Sequence, residues 1–159
     1  MFVKVFLETL VYPLKEDKVL LIKKKRGLGK GFWNGPGGKI EENEDIEKAA
    51  IRELEEETRL KAKKLEFRAF LEFFEIEEKE LHYVYVFVTE DFEGKEEETE
   101  EALPKWFKID ELPLNQMWED DKYWIKKVLK GEKIYAKFKF KQWKLVDKEI
   151  YSLVSLNTN

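Results

Sequence analysis

A chain of 159 residues with 43% hydrophobic and 14% aromatic side chains has enough apolar mass for one core, so residues 1–159 are expected to form a single domain. A net charge of −4 and a pI near 5.4 argue against a nucleic-acid polymer as partner. The lack of cysteine removes disulfides, thiolate metal sites and a cysteine nucleophile.

In chain order, the opening MFVKVFLETLVY alternates like a strand over 2–11 and lacks the unbroken apolar core of a signal peptide. No later run approaches a membrane span, so a cytoplasmic protein without membrane contact is expected. Further strands are predicted near 19–24, 65–76 and 81–89, with shorter ones around 104–109, 134–140 and 144–153. Two helices are predicted. The first runs from Glu44 to about Arg59, with Ile46, Ala49, Ala50 and Leu54 as its buried stripe; the second runs from about Glu119 to Lys130 and stops at Gly131. Acidic residues at the start of the second helix and lysines at its end suit the helix dipole. No internal repeat or linker is visible, and the acidic stretch from Asp91 to Glu101 reads as a solvated connection.

Glycine is unevenly placed: six of eight fall between Gly27 and Gly38, in GLGKGFWNGPGG, where main chain is allowed to approach something closely. This loop leads into GGKIEENEDIEKAAIRELEEETRL, residues 37–60, which crowds glutamates at 53, 55, 56 and 57. On a helix, Glu53, Glu56 and Glu57 share a face and Glu55 points elsewhere. Hard oxygen ligands on that face, in a chain with one histidine, suit Mg²⁺ or Mn²⁺ better than zinc.

Gly38, Glu44, Arg52, Glu53, Leu54, Glu56, Glu57 and Leu60 resemble, at fixed spacing, the signature of the Nudix hydrolases; Arg59 stands where that signature has its late glycine. The resemblance implies an α+β Nudix fold, a mixed β-sheet sandwiched between α-helices. It implies Mg²⁺ (or Mn²⁺) held by Glu53, Glu56, Glu57 and the Gly37 carbonyl, Arg52 orienting the carboxylates, Glu44 and Gly38 as structural members, and hydrolysis of a phosphoanhydride. The group that takes the water's proton stays open between Glu53 and Glu101, a further metal ligand by the same resemblance, with Glu98 and Glu100 as near competitors. An arginine at 59 accepts a left-handed turn only at a cost, so the helix is expected to run on by a residue or to exit differently.

Three more stretches, WNGPGGK at 33–39, QMWEDDKYW at 116–124 and KFKF at 137–140, resemble the animal-type oxidised purine nucleoside triphosphate diphosphatases over nearly the whole chain. That likeness implies removal of 8-oxo-dGTP-like nucleotides from the pool. It places Asn34, Asp120 and Asp121 on the purine edge, Trp118 and Phe73 against its faces, and Thr9 near the sugar or base. Lys24, in the basic run KKKR, is available to a phosphate or base, while Leu28 and His82 depart from the relatives' residues. Each residue also has an ordinary reading: EDD as a helix start, Trp118 and Phe73 as core, Asn34 as a turn residue, His82 as a plain strand residue. Hydrolysis of ADP-ribose or a dinucleoside polyphosphate, and a Nudix-fold module that binds nucleotide or protein without cleaving, are the alternatives. The second conflicts with the intact carboxylates. A monomer acting on a small nucleotide is expected.

Overall fold

In a computed structural model, residues 2–154 and 156 are described. The strands are β1 Lys4–Lys15, β2 Lys18–Lys24, β3 Trp33–Asn34, β4 Gly37–Lys39, β5 Lys61–Ala62, β6 Glu66–Glu75, β7 Glu80–Thr89, β8 Phe92–Glu93, β9 Ala102–Lys108, β10 Ile134–Lys141 and β11 Lys144–Ser152. Two helices interrupt them, α1 Ile46–Thr58 and α2 Asp121–Leu129. The main sheet has the order β11-β10-β6-β7-β1-β2-β3, with β4 on β1 and β9 on β2. It is mixed, because β1 runs parallel to β7 and β10 parallel to β6 while the other pairs are antiparallel.

Strand alternation sends neighbouring residues to opposite faces, and each face is closed by one helix. Tyr12, Val86, Leu71 and Ala136 pack with Trp124, Ile125, Val128 and Leu129 of α2. Val11, Leu20 and Phe87 turn the other way, onto Ala50 and Leu54 of α1. The expected α+β sandwich is therefore the fold, with its two cores on either side of β1 and β7.

The main differences from the sequence reading lie in β1, the shortest strands and the two helices. β1 continues through Pro13 to Lys15, because Pro13 falls between the pairing with β4, which ends at Leu10, and that with β2, which starts at Leu14. The two- and three-residue strands β3, β4, β5 and β8 are too short to show a period. α1 begins at Ile46, not Glu44, and does not run on: it ends at Thr58, and Arg59 takes the left-handed conformation (φ 70°) that the missing glycine would have taken. There the Arg59 N–H donates to the Glu55 carbonyl at 2.8 Å, and the Thr58 hydroxyl ties the Leu54 carbonyl to the Leu60 N–H. α2 begins at Asp121, not Glu119, and Asp120 and Asp121 are buried instead of forming a solvated start.

Candidate active site

The glutamates of α1 are organised by one arginine. Arg52 donates to Glu44 through two nitrogens at 2.7 and 3.0 Å, to Glu53 at 2.9 Å, to the Lys39 carbonyl at 3.0 Å, and lies 3.3 Å from Glu56. The fork on Glu44 holds that carboxyl at about 2 and raises the guanidinium above its ordinary value. Glu44 also accepts the Glu41 N–H at 3.0 Å, so it fastens the loop before α1 to the helix, the structural part the signature implies.

Two glycines allow close approach here, Gly37 that of the β1 backbone and Gly38 that of a carboxylate. A Cβ on Gly37 would stand 1.9 Å from the Thr9 carbonyl oxygen, and one on Gly38 would stand 2.5 Å from the Glu53 carboxyl carbon. Glu57 reaches the same corner and accepts the Gly37 N–H at 2.7 Å. Burial pushes Glu57 up to about 8, with the charges of Glu53 and Glu101 adding to the rise against the Gly37 N–H and Lys24. Glu53 is raised too, first by burial, with Arg52 opposing. Burial thus favours the protonated form of both carboxyls in this corner.

Glu56 is largely exposed, and Glu101, in the loop before β9, pairs with Arg26 at 2.8 Å; Glu101 is nevertheless near enough to raise both Glu53 and Glu57. Glu98 pairs with Lys25 instead, and Glu100 is exposed. Among the described residues no three acidic or histidine side chains converge tightly enough to enclose an ion, since Arg52 takes up Glu53 and Glu56. The all-oxygen donor set, the buried Glu57 carboxyl and the close Gly37–Gly38 backbone fit a hard divalent cation.

A cavity of about 660 Å³ opens beside this corner, lined at one edge by Gly37, Gly38 and Glu57. It brings together every residue expected at the substrate: Thr9, Lys24 and Asn34, with Phe73, Trp118 and the pair Asp120 and Asp121. Arg52, Glu53, Glu56, Glu101 and Glu44 lie outside its lining. Asp120 accepts the Trp124 indole N–H at 2.8 Å, yet burial lifts its carboxyl to about 6; Asp121 rises further, by burial and by the charge of Asp120. Its own burial, and after that the charges of the same pair, raise the Tyr12 phenol. Trp118 stands edge-on to Phe32 at 5.3 Å and to Trp143 at 5.7 Å, and Gly29 (φ 84°) passes so close that a Cβ would sit 3.2 Å from its indole nitrogen. Phe73 stacks on Phe138 at 5.5 Å. Asn34 donates to the Phe32 carbonyl at 3.1 Å, and the buried Thr9 hydroxyl has no hydrogen-bond partner among the described residues.

His82 is a strand residue of β7 as expected, and its ring also lines the cavity, as do Phe6, Glu8, Glu80, Trp143 and Phe140 of the KFKF stretch. The alternation Phe6, Glu8, Leu10, Tyr12 carried the signal for the first two; Trp143 gave none, because a turn residue has no period. Leu28 sits half-exposed at the rim.

The chain is 43% identical over 132 residues to the oxidized purine nucleoside triphosphate hydrolase of Danio rerio, covering 83% of this chain and 85% of that one. It is 42% identical over 134 residues to the protein of the same name from Mus musculus, covering 84% and 86%. Among solved structures, a MutT protein from Bacillus halodurans superposes with a TM-score of 0.80 at 27% identity, covering 91% of this chain and 97% of that one. The Nudix domain matches residues 7–128, a stretch holding the α1 carboxylates, their glycine corner and the aspartate pair of α2, and the chain belongs to the Nudix hydrolase family.

Proposed function

We propose that this chain hydrolyses oxidised purine nucleoside triphosphates of the 8-oxo-dGTP kind to the monophosphate and diphosphate, with Mg²⁺ as the divalent ion and Mn²⁺ as a substitute, and so clears damaged nucleotides from the pool. The observation that carries this reading is the buried pair Asp120 and Asp121, which shares one cavity with Asn34, Phe73 and Trp118 and with the Gly37–Gly38 corner.

Near neutral pH a pair raised in this way retains a proton, so one carboxyl donates and the other accepts. The Asn34 amide offers the same combination. Oxidation of a purine at C8 turns a ring-nitrogen acceptor into an N–H donor, and a site with both polarities can read that change. Trp118 and Phe73 supply aromatic faces, worth about 0.5–1.5 kcal/mol each beyond their buried area. Lys24, whose charge already reaches Glu57, is placed to meet a phosphate oxygen.

At the other edge, Glu53, Glu56, Glu57 and the Gly37 carbonyl would hold the ion, with Glu101 in reach of its charge. When bound, a divalent ion neutralises the polyphosphate and makes water a better nucleophile. Arg52 orients Glu53 and Glu56, and the Gly37 N–H fixes Glu57. Glu53 and Glu101 are the two candidates to receive the water's proton; burial raises the Glu53 carboxyl against the opposing Arg52, the direction a proton acceptor needs. The test is turnover of 8-oxo-dGTP against dGTP with Mg²⁺. The reading predicts a clear preference for the oxidised substrate, and equal kcat/KM would end it.

A further inference from the structure

The floor of the cavity carries a second polar cluster that the proposed reaction does not use. One row of the sheet sets Phe6, His82, Phe73 and Phe138 side by side in register across β1, β7, β6 and β10. The His82 ring lies flat on Phe6, with centroids 4.7 Å apart and planes at 17°, and meets Trp143 edge-on at 5.8 Å. Both its nitrogens are engaged: Nδ1 faces Glu8 of β1 and Nε2 faces Glu80 of its own strand at 3.2 Å. A neutral imidazole has a single N–H, so two carboxylates are both satisfied only when the ring carries its second proton. Burial works against that charge, but the two carboxylates outweigh it and raise the ring above its ordinary 6.5.

The other charged groups nearby leave this balance in place. Glu78, from the turn after β6, lines the same cavity and adds negative charge. Lys39 of β4 lies over Phe6, its ammonium 4.8 Å from the ring centroid. Glu75, at the end of β6, is buried, but backbone N–H groups of Trp143, Glu77 and Glu78 hold it ionised below its usual range. That same contact pins the β10–β11 turn, where Gln142 and Trp143 have φ of 52° and 59°. Trp143 then abuts Trp118 at 5.7 Å.

We infer that His82 is a positioning residue for the purine: clamped as an imidazolium by Glu8 and Glu80, it fixes the floor beside Phe73 and backs Trp143 against Trp118. Its protonation therefore governs how tightly the base is held and leaves the rate of bond cleavage alone. This rests on the purine reading of the cavity.

The chain has one histidine, so the imidazole proton resonances in NMR report His82 alone. The inference expects it to titrate above 6.5, and its resonances to move on addition of 8-oxo-dGMP but not of inorganic diphosphate. In turnover, KM for 8-oxo-dGTP rises with pH through the His82 titration while kcat does not follow. His82→Gln raises KM at pH 6.5 by about tenfold, the equivalent of one charge-assisted hydrogen bond, and removes that part of the pH profile. Glu80→Gln moves the midpoint of the profile to lower pH, which a merely structural role would not do. A His82→Gln profile that overlays the wild type, or resonances indifferent to 8-oxo-dGMP, would overturn the inference. If no oxidised purine triphosphate is turned over, the substrate reading fails by itself, and the response of His82 to purine against pyrimidine monophosphates decides the floor separately.

Discussion

The two edges of the cavity are built in opposite ways. The carboxylate edge comes from one continuous segment, Gly37 to Glu57, whose parts are aligned by a helix and by Arg52. The base edge is collected from β1, β6, β7, the loop before α2 and the β10–β11 turn, which meet only because β1 lies parallel to β7 and β10 parallel to β6. Shielded carboxyls bracket the sheet in two states. Glu57 is driven up to about 8, first by burial and then by its acidic neighbours, with a single N–H opposing, whereas backbone N–H groups of Trp143, Glu77 and Glu78 outweigh the burial of Glu75 and hold it down. The number of donors around a shielded carboxyl decides whether burial prevails.

If the carboxylate edge performs the chemistry and the base edge only selects, substitutions should separate along that line. The largest effect is expected at Glu56, an exposed helix residue whose loss leaves the core intact. Glu56→Gln should lower kcat by about 10³-fold with an unchanged melting temperature, measured by steady-state turnover and thermal denaturation. The glycine corner gives the next contrast. Gly38→Ala displaces only the far end of the Glu53 side chain and should cost about 10²-fold in kcat with little loss of stability, whereas Gly37→Ala drives a methyl into the Thr9 backbone and should destabilise the fold itself. Paired measurements of kcat and denaturant midpoint distinguish the two.

Asp120→Asn should act on selection, reducing the ratio of kcat/KM for 8-oxo-dGTP over dGTP by about tenfold with a smaller change in kcat. It carries a stability signature as well. The Asp120 carboxyl is at about 6 in the folded chain against an ordinary 3.8, so between those values the folded state binds more protons. Its contribution is complete below 3.8 and is lost as pH rises through about 6. Asn at 120 should therefore flatten the fall of melting temperature across that interval. Smallest is Arg59→Gly, which relieves a left-handed arginine at the end of α1 and should stabilise the chain by about 0.5 kcal/mol, with turnover unaffected.

The same contrast explains how much was legible in the sequence. The carboxylate edge was, because helical spacing alone puts Glu53, Glu56 and Glu57 on one face and the glycines next to them. The sheet was legible where alternation is long, as in β6 and β7, and illegible where strands have two or three residues. The base edge was legible only through resemblance to relatives, which supplied Asn34, Asp120, Asp121 and Trp118. His82 departs from that pattern, Trp143 lies in a turn, and their meeting with Glu8 and Glu80 depends on the register of β1 with β7 and on the Glu75 clamp. No local spacing encodes either of these.

The central claim is that the acidic corner of α1 binds a divalent cation which makes the polyphosphate hydrolysable. Calorimetric titration of Mn²⁺ and Mg²⁺ into the purified chain, with and without a non-hydrolysable nucleotide, tests it most directly. Saturable uptake that is strengthened by nucleotide and abolished by Glu56→Gln is the predicted result. No uptake under either condition, or undiminished uptake by the variant, would contradict the account.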